Sequence, residues 1–145
     1  LGPAQCVAVP PLQPGLMSAF YAGFGCRRGC PVDTLQTLLH QALASQGLAL
    51  ADLRGIASIS LKADEAGLQQ LAERLGLPLV LYHSAQLQAF EPLLSHRSAT
   101  AHAHSGCWGV AESAALALAS EQPGSTARLL LTRQVLGPAT LALAC

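Results

Sequence analysis

Along the chain, short apolar runs alternate with longer stretches in which apolar residues return every three or four positions. The first rhythm belongs to buried strands, the second to helices with one apolar face. Residues 16–24 predict a first strand ending in Gly23-Phe24-Gly25. After the loop Cys26-Arg27-Arg28-Gly29, Pro31 is expected in the first turn of a helix, where its missing N–H leaves nothing unpaired. Val32, Leu35, Leu38, Leu39, Ala42 and Leu43 then share one helical face, and Gly47 predicts the stop. The run Ile-Ala-Ser-Ile-Ser-Leu at 56–61 predicts a second strand. Lys62-Ala63-Asp64-Glu65 leads into a helix with Leu68, Leu71, Ala72 and Leu75 on one face, its acids at the end where the helix dipole favours negative charge. Gly76 and Pro78 close that helix, residues 79–82 predict a third strand, and Ser84 is expected to cap a short helix reaching Phe90.

Residues 91–108 carry Pro92, three histidines, several serines and Gly106, and predict a long loop, either functional or mobile. Residues 109–120 predict an Ala-rich helix that is apolar around most of its circumference and therefore well buried. Residues 128–132 and 139–144 predict two last strands joined around Gly137-Pro138. Strand–helix units through residue 90 imply a parallel core sheet with helices on both faces. The expected fold is α/β: a single three-layer α/β/α domain whose sheet of about five strands is mostly parallel, with an antiparallel C-terminal edge. A chain of 145 residues suits one domain over 1–145, with the Pro-rich residues 1–14 as a loose arm.

Composition sharpens this picture. Hydrophobic residues make up 51% of the chain and charged residues 11%, which implies a large core or an extra apolar face. The formal net charge is zero and no Lys/Arg run exists, which argues against nucleic acid as a partner. No apolar stretch reaches the ~18 residues of a membrane span, so no membrane partner is expected. Five cysteines, an odd number with only Cys26 and Cys30 close together, do not form a secreted disulfide framework. Reduced apolar thiols and a cytoplasmic location are the expectation.

The segment Gly23-Phe24-Gly25-Cys26-Arg27-Arg28-Gly29 links a strand end to a helix start. Glycines permit close backbone approach to a ligand, N–H groups at a helix start point outward, and Arg27 and Arg28 offer planar donors for carboxylate or phosphate. The other reading is a tight turn with two solvated arginines. The dinucleotide fingerprint and the phosphate-loop lysine are both missing. Lys62, Asp64 and Glu65 follow the second strand and fall at the same sheet edge, where they can orient a substrate or move a proton, or else simply cap a helix. His96, His102 and His104 read as exposed loop residues rather than metal ligands, so neither a metal nor a cofactor is expected. His83 ends the third strand and can face the same edge, whereas His40 reads as helix surface. Trp108 suits either a flat wall for a ring system or the core, and Glu112 is an isolated charge among alanines that must be paired, capping or facing a cavity. No nucleophile elbow is present.

Several of these segments together resemble the CobE/CbiG C-terminal domain family of cobalamin biosynthesis. They are the Gly23–Gly29 loop, then Ile56-Ala57-Ser58-Ile59-Ser60-Leu61-Lys62-Ala63-Asp64-Glu65-Ala66-Gly67-Leu68, Leu75-Gly76-Leu77-Pro78-Leu79, Val110-Ala111-Glu112-Ser113-Ala114-Ala115-Leu116 and Ala139-Thr140-Leu141-Ala142-Leu143-Ala144. Their order and spacing match over most of residues 16–145, and the first two are the most specific. The resemblance implies the stand-alone form of this family, acting on a carboxylate-rich precorrin or corrin intermediate. Longer relatives open a ring lactone on cobalt-precorrin-5A and release a two-carbon fragment. It implies either assistance to that lactone opening or a non-catalytic carrier delivering an intermediate to a pathway methyltransferase or another cobalamin-pathway enzyme. On this resemblance, Lys62, Asp64 and Glu65 are candidate catalytic residues. Gly25, Cys26, Arg27, Arg28, Gly29, Trp108, Glu112 and Arg133 are candidate substrate-binding residues, Arg133 standing in the last turn where the family usually has Lys. The arginines and Lys62 would clamp carboxylates through charge-assisted hydrogen bonds, and Trp108 would cover the macrocycle.

Overall fold

In the computed structural model, residues 19–27, 29–60, 65–94, 109–121 and 127–145 are described. The expected arm over 1–14 and residues 95–108 of the expected long loop lie outside them. The first strand, β1 (Phe20–Cys26), starts later than its apolar run and extends two residues past Phe24. It does so because Gly25 and Cys26 still pair with Thr140 and Ala139 of the last strand, a long-range ladder that no local pattern shows. Helix α1 (Val32–Gln46) buries the six apolar residues expected of it. Pro31 is its N-cap rather than part of its first turn, with ψ 147°. The fixed φ of proline suits that extended cap as well as a helix.

Strand β2 (Leu53–Ile59) begins three residues before Ile56. Exposed Arg54 interrupts the apolar run, but Leu53 is buried and pairs with Phe20. Helix α2 (Ala66–Leu75) and strand β3 (Leu79–Tyr82) fall where the pattern places them. Both α1 and α2 close in the same way. Gly47 and Gly76 take left-handed conformations, and the next amides, of Leu48 and Leu77, donate back to Leu43 and Ala72. Helix α3 (Ser84–Gln88) is capped one residue earlier than expected, at His83, whose N–H donates to Gln86 Oε1 at 2.8 Å. A single 3-10 turn, Glu91–Leu93, follows. Helix α4 (Val110–Ser120) is the Ala-rich segment, with every residue from 111 to 119 buried.

Strand β4 (Leu129–Leu136) continues past Thr132 to the Gly137-Pro138 turn, carrying polar residues 132–134 through an irregular stretch of its ladder with β5 (Ala139–Ala144). The sheet order is β3-β2-β1-β5-β4. β1, β2 and β3 pair in parallel, and β5 pairs antiparallel with both β1 and β4, so four strands run one way and β5 runs against them. The C-terminal pair thus supplies the antiparallel part as expected, with the apolar β5 inside and the polar-bearing β4 at the edge, where charge discourages further pairing.

Side-chain alternation along the strands builds two apolar clusters. Phe20, Ala22, Phe24, Ile56, Leu141 and Leu143 meet α1 and α2. Tyr21, Ala57, Ile59, Ala142 and Ala144 meet α4 and Leu87 of α3. The result is the expected three-layer α/β/α arrangement around one sheet. On the α4 side the sheet is bare at Gly23, where a Cβ would lie 2.0 Å from the Ala111 carbonyl oxygen. One expectation fails at the C-terminus, where Cys145 takes part in a disulfide. Pairing of an odd set of cysteines depends on three-dimensional proximity, which spacing does not reveal.

Candidate functional site

The carboxyl ends of β1, β2 and β3 share one edge of the sheet, the edge at which open α/β sheets bind ligands. Arg27 leaves β1 there. Its backbone N–H donates to the Pro138 carbonyl at 2.9 Å, which ties the start of the arginine loop to the β4–β5 turn. The chain then reverses over residues 27–30: the Cys30 N–H donates to the Arg27 carbonyl at 3.1 Å. Gly29 sits at the third position of this turn with φ +77°, a conformation that type II turns require and that glycine adopts without cost. The Gly29 N–H donates to both carboxylate oxygens of Glu65, each at 3.1 Å. The two loops that the sequence singled out, 36 positions apart, are therefore joined directly.

This arrangement changes one expectation. The amides of Arg27, Gly29 and Cys30 are all committed within the protein, so these three do not form an open anion cradle. Arg27 itself is exposed. Gly25 is buried at the end of β1, its carbonyl accepting the Thr140 hydroxyl at 3.1 Å, and Cys26 beside it is half-buried. Arg28, Lys62, Asp64 and Trp108 lie outside the described residues, as do His96, His102 and His104.

At the ends of β2 and β3, Ser60 Oγ lies 3.3 Å from His83 Nδ1. The sequence pointed to His83 at this edge and overlooked Ser60. The available signal was the strand period, which ends both residues one step past paired positions Ile59 and Tyr82. Helix α4 contributes Glu112 from its first turn, 1% exposed, whose carboxylate accepts the Arg133 backbone N–H at 2.8 Å. The Glu112 carboxylate thus has a backbone donor across the layers. Arg133 stands inside β4 rather than in a turn, because the β4–β5 ladder runs on to Leu136, and its buried Nε has no hydrogen-bond partner among the described residues. Arg27, Gly29, Glu65, Ser60 and His83 thus collect at one edge, while Glu112, in the first turn of α4, holds the Arg133 backbone N–H.

A family profile described as "Cobalamin synthesis G C-terminus" matches residues 20–144. The chain belongs to this family of cobalamin synthesis. Among relatives, Protein CobE of Sinorhizobium sp is 38% identical over 122 residues, 84% of this chain and 77% of that protein. A cobalt-precorrin-5A hydrolase of Priestia megaterium is 30% identical over 94 residues, which is 65% of this chain and 25% of the hydrolase. The crystal structure of CobE, a protein from the cobalamin (vitamin B12) biosynthetic pathway, superposes with TM-score 0.84 at 44% identity, covering 93% of each chain. All five strands and four helices described above fall inside the segment matched to the cobalamin synthesis G C-terminus family. Among the described residues, no helix is long and apolar enough to cross a membrane.

Proposed function

We propose that this chain binds a carboxylate-rich precorrin or corrin intermediate at the carboxyl edge of β1–β3. The observation that carries the reading is the Gly29–Glu65 bond, which holds the arginine loop against the loop after β2 in a member of a cobalamin-synthesis family. Corrin precursors present several carboxylates around a broad apolar ring. Exposed Arg27 answers the carboxylates at this edge, and the sequence adds Arg28, Lys62 and Arg133 as further donors and Trp108 as cover for the ring. Each charge-assisted bond of this kind contributes about 1.5–3 kcal/mol. Two or three of them with partial ring burial reach micromolar affinity, about 8 kcal/mol.

Two activities share this site. One is assistance to ring lactone opening with loss of a two-carbon fragment, supported by the partial match to a cobalt-precorrin-5A hydrolase. There Lys62 and Asp64 are the groups to orient substrate and move a proton. The other is a carrier that passes the intermediate to another enzyme of the pathway, supported by the likeness to CobE over nearly the whole chain.

Titration with cobyrinic acid, a carboxylate-bearing corrin, tests the binding. A saturable change in the corrin spectrum near micromolar protein is expected, weakened about tenfold by Arg27→Ala. Absence of any saturable change at tens of micromolar overturns the reading. Incubation with a lactone-bearing precorrin then separates the activities: a released two-carbon product means hydrolysis, and unchanged bound precorrin means a carrier.

A further inference from the structure

Glu65 is the N-cap residue of α2, yet its side chain makes no capping bond to its own helix. It reaches instead across to the other loop and places both oxygens at equal distance from one amide, that of Gly29. A carboxylate left open at an edge that binds carboxylates would repel them. Here the carboxylate faces a backbone donor of the arginine turn. Its contact is also aimed at the amide of the residue that carries the positive φ of the turn, a value that the third residue of a type II turn needs and that of a type I turn does not. Among the described residues, nothing lies within 4 Å of where a Cβ on Gly29 would be. Below the turn, Gly67 on α2 packs so closely that a Cβ there would lie 2.4 Å from the Cys30 carbonyl oxygen, which fixes the distance between α2 and the turn across which Glu65 reaches.

We propose that Glu65 is a positioning residue: its carboxylate locks the residue 27–30 turn through Gly29 and so aims the arginine loop at the carboxylates of the ligand. This deepens the corrin-binding reading and rests on it for the ligand. What Glu65 does for the turn stands independently of it. The required group is an acceptor oxygen and not a proton carrier, so glutamine, whose carbonyl accepts the same N–H, preserves the function and alanine removes it.

The test compares wild type, Glu65→Gln, Glu65→Ala and Gly29→Ala by amide hydrogen exchange without ligand and by titration with cobyrinic acid. In exchange, Glu65→Gln keeps the protection of residues 27–30 and Glu65→Ala loses it about tenfold, the order expected for one hydrogen bond to a charged group. In titration, Glu65→Gln stays within about threefold of wild type and Glu65→Ala weakens about tenfold. Gly29→Ala disturbs the same turn from the other side, and adding Glu65→Ala to it brings little further loss, as coupled partners do. Unchanged exchange in Glu65→Ala overturns the proposal. Weak binding in Glu65→Gln with the turn still protected also overturns it, because the carboxylate would then act on the ligand. If wild type does not bind cobyrinic acid, the corrin reading fails, and the exchange data alone decide whether Glu65 holds the turn.

Discussion

The two faces of the sheet are packed by opposite means. Toward α1 and α2 the strands present Phe20, Phe24, Ile56, Leu141 and Leu143, and the helices stand off on bulky side chains. Toward α4 they present Gly23, Ala57, Ala142 and Ala144 beside Tyr21, Ile59 and Tyr82, and at Gly23 the helix backbone itself comes down onto β1. The first face gains stability from apolar area, the second from close approach. The close face also has a positional consequence: it brings the first turn of α4 to the end of β1, with Val110 next to Gly25, and sets Glu112 beneath Arg133. The thick face stabilises the domain, and the thin face places an end of a helix at the candidate site.

Mutations on the two faces should therefore fail differently. Phe24→Ala, at a side chain with no exposure, should cost about 3–5 kcal/mol in denaturant unfolding by leaving a cavity on the thick face. A cost below about 1 kcal/mol would mean that α1 and α2 collapse onto the gap and that bulk is not what supports this face. Gly23→Ala adds only a methyl group, yet that group would meet the Ala111 oxygen at 2.0 Å and the Ala115 nitrogen at 2.5 Å. The helix must shift, and the expected cost is about 1–3 kcal/mol, accompanied by faster amide exchange in the first turn of α4. A neutral Gly23→Ala would erase the distinction between the faces.

The smallest expected effect concerns the periphery of the thin face, where the Tyr82 hydroxyl donates to a Glu121 carboxylate oxygen. Burial first, then that hydrogen bond and the charge of Glu121, hold the Tyr82 proton on well above the usual tyrosine range. A group whose affinity for its proton rises on folding contributes stability that is complete below the unfolded value of about 10 and is lost as pH climbs beyond it. Tyr82→Phe should cost about 1 kcal/mol near neutral pH and flatten the decline of stability above about pH 10. An identical alkaline profile in the variant would assign that decline to other groups.

Much of this architecture was legible in the chain. The period of α1, the Gly76 stop of α2 and the bounds of β3 follow from local chemistry, because caps and apolar periodicity act within a few residues. The ends of β1, β2 and β4 did not, since Gly25–Thr140, Phe20–Leu53 and the polar stretch of β4 are decided by ladders between distant segments. The candidate site divides in the same way. The Gly23–Gly29 loop and Glu65 stand out by residue type and position after a strand, whereas the bond between them, the Ser60–His83 contact and the burial of Glu112 needed the packed molecule.

By itself, the sequence determined the fold class, the family resemblance and which loops carry charge, because periodicity, caps and motifs are properties of neighbours along the chain. Only the tertiary structure decided that Glu65 faces Gly29, that three loop amides are already committed, and that α4 lies directly on β1. Those are contacts between residues far apart in sequence, and which partner a donor or a glycine meets is set by how the layers pack.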